Sequence, residues 1–142
     1  MVQNLFWDHS DADVRLTPNC EAARYKVELM SAVCRRIEEL VKAGGGTLVF
    51  MIIPAAADVM DDYDRDVVST DDFPGYRRTN LVAALEAAVG DTQAPHLSLF
   101  EPFREDGGDL YHRGGDTHWN AEGQELAAED MVRFLRESSI LE

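Results

Sequence analysis

The chain has 142 residues, a length that suits one domain with a buried core. Its hydrophobic content of 45% and charged content of 28% are those of a globular protein, and its formal net charge is -14. A negative field of this size repels phosphate backbones and anionic lipids, so nucleic acid and membrane surfaces are disfavoured as partners. Residues 1–13 lack the basic and apolar regions of a signal peptide, and no apolar run reaches the ~20 residues of a membrane span. The sequence therefore leaves the compartment open.

The chain opens with a predicted strand and a predicted long helix. Residues 2–7 are mostly apolar and predict a short strand, which an acidic turn follows. Thr17 and Asn19 are candidate N-caps of the helix, with Pro18 suited to its first turn, and Gly44–Gly46 predict its end. Apolar residues recur at helical spacing and predict one buried face. They are Val27, Met30, Val33, Cys34, Ile37, Leu40 and Val41.

Both cysteines fall in this helical region. Cys20 and Cys34 would lie about 21 Å apart on one helix at 1.5 Å per residue, so they cannot pair with each other. We expect both to be small core residues.

The next segments predict a central strand and an acidic connection. Residues 47–53 form an unbroken apolar run stopped by Pro54, which is typical of a parallel strand covered on both faces. Residues 55–76 are rich in aspartate but lack the glycine and terminal glutamate of a calcium loop. We therefore expect a solvated lid or crossover loop with one helical turn. Its aspartates are Asp58, Asp61, Asp62, Asp64, Asp66, Asp71 and Asp72.

The rest of the chain continues the alternation of helix and strand. A helix is predicted over residues 80–89, with Leu81, Leu85 and Val89 buried, then a strand over residues 96–100. The last helix is predicted from Ala121 to about Ser138, with Asn120 as its N-cap. Its inner face would consist of Leu126, Ala127, Met131, Phe134 and Leu135. This order predicts an α/β fold with a parallel sheet of three strands. Because such a sheet has two open edges, we expect a larger domain or a homo-oligomer.

The segment before the last helix contains the pair of side chains in this chain that best suits acid–base catalysis. Asp116 precedes His118 by two residues, and Gly114 and Gly115 permit a tight backbone. In parallel sheets, ligands bind beyond the carboxyl ends of the strands, where this segment is expected to lie. An imidazole serves as a general base because its unperturbed pKa is ~6.5, and a neighbouring carboxylate can fix its tautomer. Asp116 and His118 are therefore the candidate orienting acid and base.

Other interpretations of this segment stay open. Asp116 and His118 could belong to a helix-capping loop with a hydrogen-bonded histidine and no chemistry. His112 could join them as a zinc site, although no further ligand cluster supports it. Trp119 could stack on a sugar ring or simply pack beside the helix start.

The passage Asp116-Thr117-His118-Trp119-Asn120, followed by Gly123, resembles the C-terminal block of the SGNH (GDSL-type) hydrolase superfamily. It looks most like the branch of alginate O-acetyltransferase-like proteins, in which an Asp-Thr-His-Trp motif carries the catalytic Asp and His. A looser similarity covers residues 48–54 and 97–103.

The resemblance implies a three-layer, flavodoxin-like α/β fold without a cofactor. The activity it implies is ester hydrolysis or O-acetyl transfer on a small-molecule or carbohydrate acyl ester. His118 would be the base and Asp116 its orienting acid, Trp119 and Asn120 would shape the loop, and Tyr111 would line the mouth of the site.

The chain departs from the family at the nucleophile. The family serine lies in a Gly-Asp-Ser motif near the start of its domain, and the chain has no such motif. Its serines are Ser10, Ser31, Ser69, Ser98, Ser138 and Ser139. Ser10 follows the first predicted strand and is the candidate nucleophile among them. We expect residues 1–142 to be the C-terminal part of one SGNH-like domain, with the nucleophile upstream. The alternative is a catalytically incomplete module with a structural or binding role.

Overall fold

The computed structural model describes residues 12–61, 68–113 and 116–141. The predicted first strand, residues 2–7, and Ser10 lie outside these ranges. The elements are α1 (Ala12–Leu16), α2 (Glu21–Ala43), β1 (Phe50–Ile52), α3 (Ala56–Val59), α4 (Asn80–Gly90), β2 (His96–Ser98), α5 (Phe100–Asp106) and α6 (Ala121–Glu137). They fall into two compact units, residues 1–48 with 65–94 and residues 49–64 with 95–142.

The first unit consists of α1, α2 and α4. Asn80, the first residue of α4, donates side-chain hydrogen bonds to the carbonyl oxygens of Arg15 and Gly75, at 2.8 and 2.9 Å. Glu38 of α2 is buried, accepts a hydrogen bond from the Gln93 N–H at 3.0 Å and pairs with Lys42 at 2.9 Å. The Lys42 ammonium lowers the pKa of the Glu38 carboxyl.

The start and the end of α2 test the predicted caps. Cys20 is the N-cap, since its sulfur accepts a hydrogen bond from the Ala23 N–H at 3.4 Å. Thr17 and Asn19 were wrong as N-caps, because the Thr17 N–H donates to the Asp13 carbonyl and so still belongs to the end of α1. At the other end Gly45 adopts a left-handed φ of 75°, as the run of glycines predicted.

The buried face of α2 differs from the predicted one. Among the seven predicted core residues only Cys34 is buried, whereas Ala23, Ser31 and Glu38 complete the buried side. Met30, Val33, Ile37 and Leu40 are exposed. The apolar surface of α2 is therefore wider than the part that its neighbours cover. Cys20 is half-buried at the helix start, so only Cys34 is the core cysteine that we expected.

The second unit is built on a parallel pair of strands. β1 and β2 pair in the register Phe50 with His96, Met51 with Leu97 and Ile52 with Ser98. The mixed helix and strand order with a parallel sheet confirms the predicted α/β class, although in the described ranges the sheet has two strands. Ile52 is buried, but Met51 and Ile53 on the opposite face are exposed. The prediction that this strand is covered on both faces was therefore wrong.

Short helices follow both strands at their carboxyl ends. α3 is the single turn that we expected in the acidic segment. Its Asp58 is buried, whereas Asp61, Asp71 and Asp72 are exposed as the prediction of a solvated segment requires. α5 occupies residues that the sequence assigned to a strand end and a loop. It places Phe100 and Phe103 in the core and ends at Gly107 with a left-handed φ of 66°. No helix in the described ranges is long and apolar enough to cross a bilayer.

Candidate active site

The segment that follows α5 runs beside the residues that precede α6. Tyr111 forms an isolated antiparallel bridge with Trp119. The His112 N–H donates to the His118 carbonyl, and the Asn120 N–H donates to the Leu110 carbonyl, both at 2.9 Å. These backbone bonds fix residues 110–112 against residues 118–120. Two backbone hydrogen bonds therefore anchor the chain around His118, one at the His118 carbonyl and one at the Asn120 N–H.

Asn120 joins this loop to the start of α6. Its side-chain oxygen accepts a hydrogen bond from the Gly123 N–H at 3.0 Å, which confirms the predicted N-cap. Its side-chain NH₂ donates to the carbonyl oxygen of Asp109. One side chain thus fixes both the helix start and the far side of the loop.

Tyr111 and Trp119 pack around the buried ring of Phe103. The Tyr111 ring lies edge-on to it with centroids 5.9 Å apart, and the Trp119 ring is tilted at 6.1 Å. Tyr111 is 2% exposed, and its hydroxyl donates to the Pro54 carbonyl at 2.5 Å. Tyr111 is therefore a buried residue that supports the loop, and its side chain is not exposed as the predicted lining of a site entrance would be. The contact between Trp119 and Phe103 favours the packing interpretation of Trp119.

The structure brings the candidate acid and base together. The His118 Nδ1 lies 2.7 Å from Asp116 Oδ1, and the same oxygen accepts the His118 backbone N–H at 2.9 Å. The His118 side chain is 84% exposed and that of Asp116 is 50% exposed. The pair therefore sits at the surface with its ring open to solvent.

The electrostatics of this pair favour an ionised carboxylate. The backbone N–H of His118 is the main cause that lowers the pKa of Asp116, and the His118 side chain and the His112 charge add to it. An ionised Asp116 accepts a hydrogen bond from Nδ1–H, and that tautomer places the ring lone pair on Nε2. Nε2 has no protein partner within residues 12–61, 68–113 and 116–141. This is the geometry of a base with its orienting acid.

In the described residues, no serine forms a hydrogen bond with the His118 side chain. Ser31 is buried within α2, and the Ser69 hydroxyl accepts the Asp72 N–H at 3.3 Å. Ser98 lies in β2, and its buried hydroxyl has no hydrogen-bond partner among the residues described. Ser138 and Ser139 end α6.

No group of three or more histidine, cysteine, aspartate or glutamate side chains in the described parts of the chain could hold a metal ion. The zinc interpretation of His112, Asp116 and His118 therefore gains no support from the described geometry.

Several residues that position the site were not singled out from the sequence. Asp109 and Pro54 act through backbone carbonyls, which any residue type supplies. Phe103 carries a detectable signal, because Phe100 and Phe103 have helical spacing and Gly107 follows as a helix stop.

Comparison with known proteins identifies the family. No significant match was found among curated proteins or among solved structures. A family model described as the SGNH hydrolase-like domain of acetyltransferase AlgX matches residues 5–142. Because that match covers nearly the whole chain, the protein belongs to the SGNH hydrolase-like domain family of acetyltransferase AlgX.

Proposed function

We propose that this domain takes part in serine-dependent acyl transfer, moving acetyl groups to or from the hydroxyls of a carbohydrate. The family is an acetyltransferase family, which supports the acyl chemistry. The observation that carries the proposal is the 2.7 Å contact between His118 Nδ1 and Asp116, with Nε2 open to solvent. We propose His118 as the base, Asp116 as its orienting acid, and Trp119 and Asn120 as residues that shape the loop.

The reaction would proceed in two acyl transfers. A serine Oγ attacks the acetyl carbonyl while His118 Nε2 takes its proton, which gives a tetrahedral oxyanion and an imidazolium. The imidazolium returns the proton to the leaving alkoxide, and the acetyl group remains on the serine. A sugar hydroxyl or water then attacks the acyl-serine and loses its proton to Nε2, and the imidazolium passes that proton to the departing serine Oγ, which regenerates the free serine and the neutral base. Asp116 stabilises the imidazolium in both halves of the reaction.

We propose that the nucleophilic serine comes from a segment outside residues 1–142. The sequence has no Gly-Asp-Ser motif, and the described serines lie inside α2, in a turn, in β2 and at the end of α6. Ser10 is the candidate nucleophile within the chain.

A non-catalytic module is the second candidate function, and the lack of a Gly-Asp-Ser motif in the sequence favours it. In that case the Asp116–His118 contact only shapes the loop before α6. Replacement of the His118 imidazole separates the two functions. A catalytic His118 predicts that acyl-transfer activity is lost, whereas a histidine that only shapes the loop predicts no effect on such activity.

The test uses the protein encoded by the whole reading frame that includes residues 1–142. p-Nitrophenyl acetate is the acyl donor, and the release of p-nitrophenol is measured. His118→Asn should lower kcat by about a thousandfold or more, and Asp116→Asn should lower it by tenfold or more, on the scale of triad variants. His96→Asn is the matched control, since His96 is an exposed strand residue. A His118→Asn variant that retains the activity of the His96→Asn control would refute the proposal.

A further inference from the structure

The antiparallel bridge beside the candidate site has an inward and an outward side. Tyr111 and Trp119 are paired across this bridge, with one backbone hydrogen bond on either side of the pair. Neighbouring residues of an extended chain point to opposite faces, so His112 and His118 point away from the face that Tyr111 and Trp119 share. Burial agrees with this alternation, because Tyr111 is buried and Trp119 is half-buried, whereas both histidines are exposed. The inward pair therefore anchors the bridge, and the outward side presents the His118 imidazole.

The Tyr111 hydroxyl connects the inward side to the end of β1. It donates to the Pro54 carbonyl at 2.5 Å, and both residues are buried. Pro54 lies two residues beyond Ile52, the last residue of β1. The Ile52 carbonyl accepts the Leu99 N–H, which follows β2. The hydroxyl bond therefore joins the loop to the carboxyl end of the parallel strand pair.

This connection matters because ligands of open parallel sheets bind beyond the carboxyl ends of the strands. The position of a group bound there is set by the strands, whereas the position of His118 is set by its backbone bonds to the segment of Tyr111. The ring contact with Phe103 attaches Tyr111 to α5, and the hydroxyl attaches it to β1. The distance between His118 and the strand ends therefore depends on the Tyr111 hydroxyl.

We infer that Tyr111 is a positioning residue for His118, which acts through its hydroxyl bond to the Pro54 carbonyl. Without that donor, a buried carbonyl is left unsatisfied, and the backbone around it relaxes toward another donor or water. A base misplaced by ~1 Å can cost about a hundredfold in rate. The effect on catalysis rests on the proposed acyl transfer, but the placement of the loop by Tyr111 does not.

The first test measures the placement of the loop in the 142-residue chain by amide hydrogen exchange. Tyr111→Phe removes the hydroxyl and keeps the ring, and Tyr25→Phe is the matched control because Tyr25 is exposed on α2. We expect Tyr111→Phe to speed exchange at the bonded amides of His112 and Asn120 about tenfold more than at Leu99. A general loss of stability would instead speed all three amides by the same factor. Tyr25→Phe should change none of them.

The pKa of Asp116 is a second measure of the same placement. Asp116 and His118 form the proposed dyad, and the His118 backbone N–H is the main cause that lowers the Asp116 pKa. A displaced loop weakens this hydrogen bond, so Tyr111→Phe should raise the Asp116 pKa toward its ordinary value. Carboxyl-detected NMR measures the change, and Tyr25→Phe should leave this pKa at its wild-type value.

The catalytic test uses the protein encoded by the whole reading frame, with p-nitrophenyl acetate as acyl donor. We expect Tyr111→Phe to lower kcat about tenfold and to change KM by less than about twofold, whereas Tyr25→Phe leaves both unchanged. Assays below the melting transition of each variant exclude a loss of folded protein as the cause. If Tyr111→Phe does not fold, Phe103→Leu replaces it, because this change loosens the ring that orients the phenol and should give the same pattern.

Two results would overturn the inference. One is an equal change in exchange at His112, Asn120 and Leu99 together with an unchanged Asp116 pKa. The other is wild-type kcat in Tyr111→Phe under conditions in which His118→Asn is inactive. Activity that survives in His118→Asn refutes the proposed function instead, and the exchange and pKa measurements then still decide whether Tyr111 places the loop.

Discussion

Gly123 in the first turn of α6 lies directly against the carbonyl oxygen of Leu110, so that a β-carbon on Gly123 would overlap this oxygen. It would also lie 3.0 Å from the Trp119 Cβ. The Leu110 carbonyl is the same group that accepts the Asn120 N–H. The absence of a side chain at Gly123 therefore lets the backbone of Leu110 pack against the first turn of α6.

We expect Gly123→Ala to push this backbone away from α6 and to destabilise the fold by about 1–3 kcal/mol, as overpacking does. Chemical denaturation measures the free energy of unfolding. Gly90→Ala is the matched control, because Gly90 is a helical glycine with nothing within 4 Å of an added β-carbon. Equal free energies of unfolding for Gly123→Ala and Gly90→Ala would mean that the close approach is not a constraint.

Asn120 has two roles that different substitutions separate. Asn120→Ala removes the cap and the bond to Asp109, and it should cost about 1–2 kcal/mol of unfolding free energy. Asn120→Asp keeps a cap acceptor but loses the donor to the Asp109 carbonyl, so it should fall between Asn120→Ala and the wild type. Urea denaturation of the wild type and the two variants measures their free energies of unfolding and gives their order of stability. Equal stability of the aspartate and alanine variants would show that the cap contributes nothing.

The ionisation of Asp116 reports directly on the dyad. Its folded-state pKa lies below the ordinary value of 3.8, and the His118 backbone N–H is the largest cause. Because His118→Ala keeps that N–H but removes the imidazole, we expect the Asp116 pKa to rise while staying below 3.8. A carboxyl-detected NMR titration measures this shift, with His96→Ala as the control.

The sign of the pH dependence follows from the same pKa. A carboxyl whose pKa is lowered in the folded state stabilises the fold at pH values above its unfolded-state pKa. This contribution is lost as the pH falls through its folded-state pKa. In Asp116→Asn this part of the acid sensitivity should disappear. An unchanged Asp116 titration in His118→Ala would contradict the observed contact between the two side chains.

The two cysteines should differ in reactivity. The Ala23 N–H and the Thr17 hydroxyl both donate to Cys20 and lower its pKa, whereas burial raises the pKa of Cys34. Because the thiolate is the reactive form, iodoacetamide should alkylate Cys20 at least about tenfold faster than Cys34 at mildly alkaline pH. Mass spectrometry of the alkylated peptides gives both rates. Thr17→Val should slow Cys20 alone, and a faster reaction at Cys34 would contradict the assignment.

Local sequence signals predicted the termini of several elements and the central contact of the site. Gly45 and Asn120 occupy the helix-end positions that their side chains favour, because these preferences depend on one turn of backbone. The spacing of Asp116 and His118 likewise places a carboxylate within reach of an imidazole two residues later. The α/β class followed from the alternation of elements.

Features that depend on contacts between residues far apart in the sequence could not be predicted from local sequence signals. Helical spacing shows that Val33, Ile37 and Leu40 share a face, but it does not show how much of that face the neighbouring helices cover. The burial of Asp58 and the carbonyl partner of Tyr111 depend on segments far away in sequence. Residues 100–106 form a helix where the sequence predicted a strand end and a loop, and this helix buries Phe100 and Phe103, three residues apart.

We propose that His118 and Asp116 are the base and its orienting acid and that the nucleophilic serine lies outside residues 1–142. The most direct measurement is intact and peptide mass spectrometry of the 142-residue chain after exposure to p-nitrophenyl acetate, with Ser10→Ala and His118→Asn in parallel. We predict no burst of nitrophenol and no acetyl group on any serine, with Ser10→Ala indistinguishable from the wild type. A stoichiometric burst with acetyl on a serine of this chain, abolished by His118→Asn, would contradict the claim, and its loss in Ser10→Ala would identify the serine.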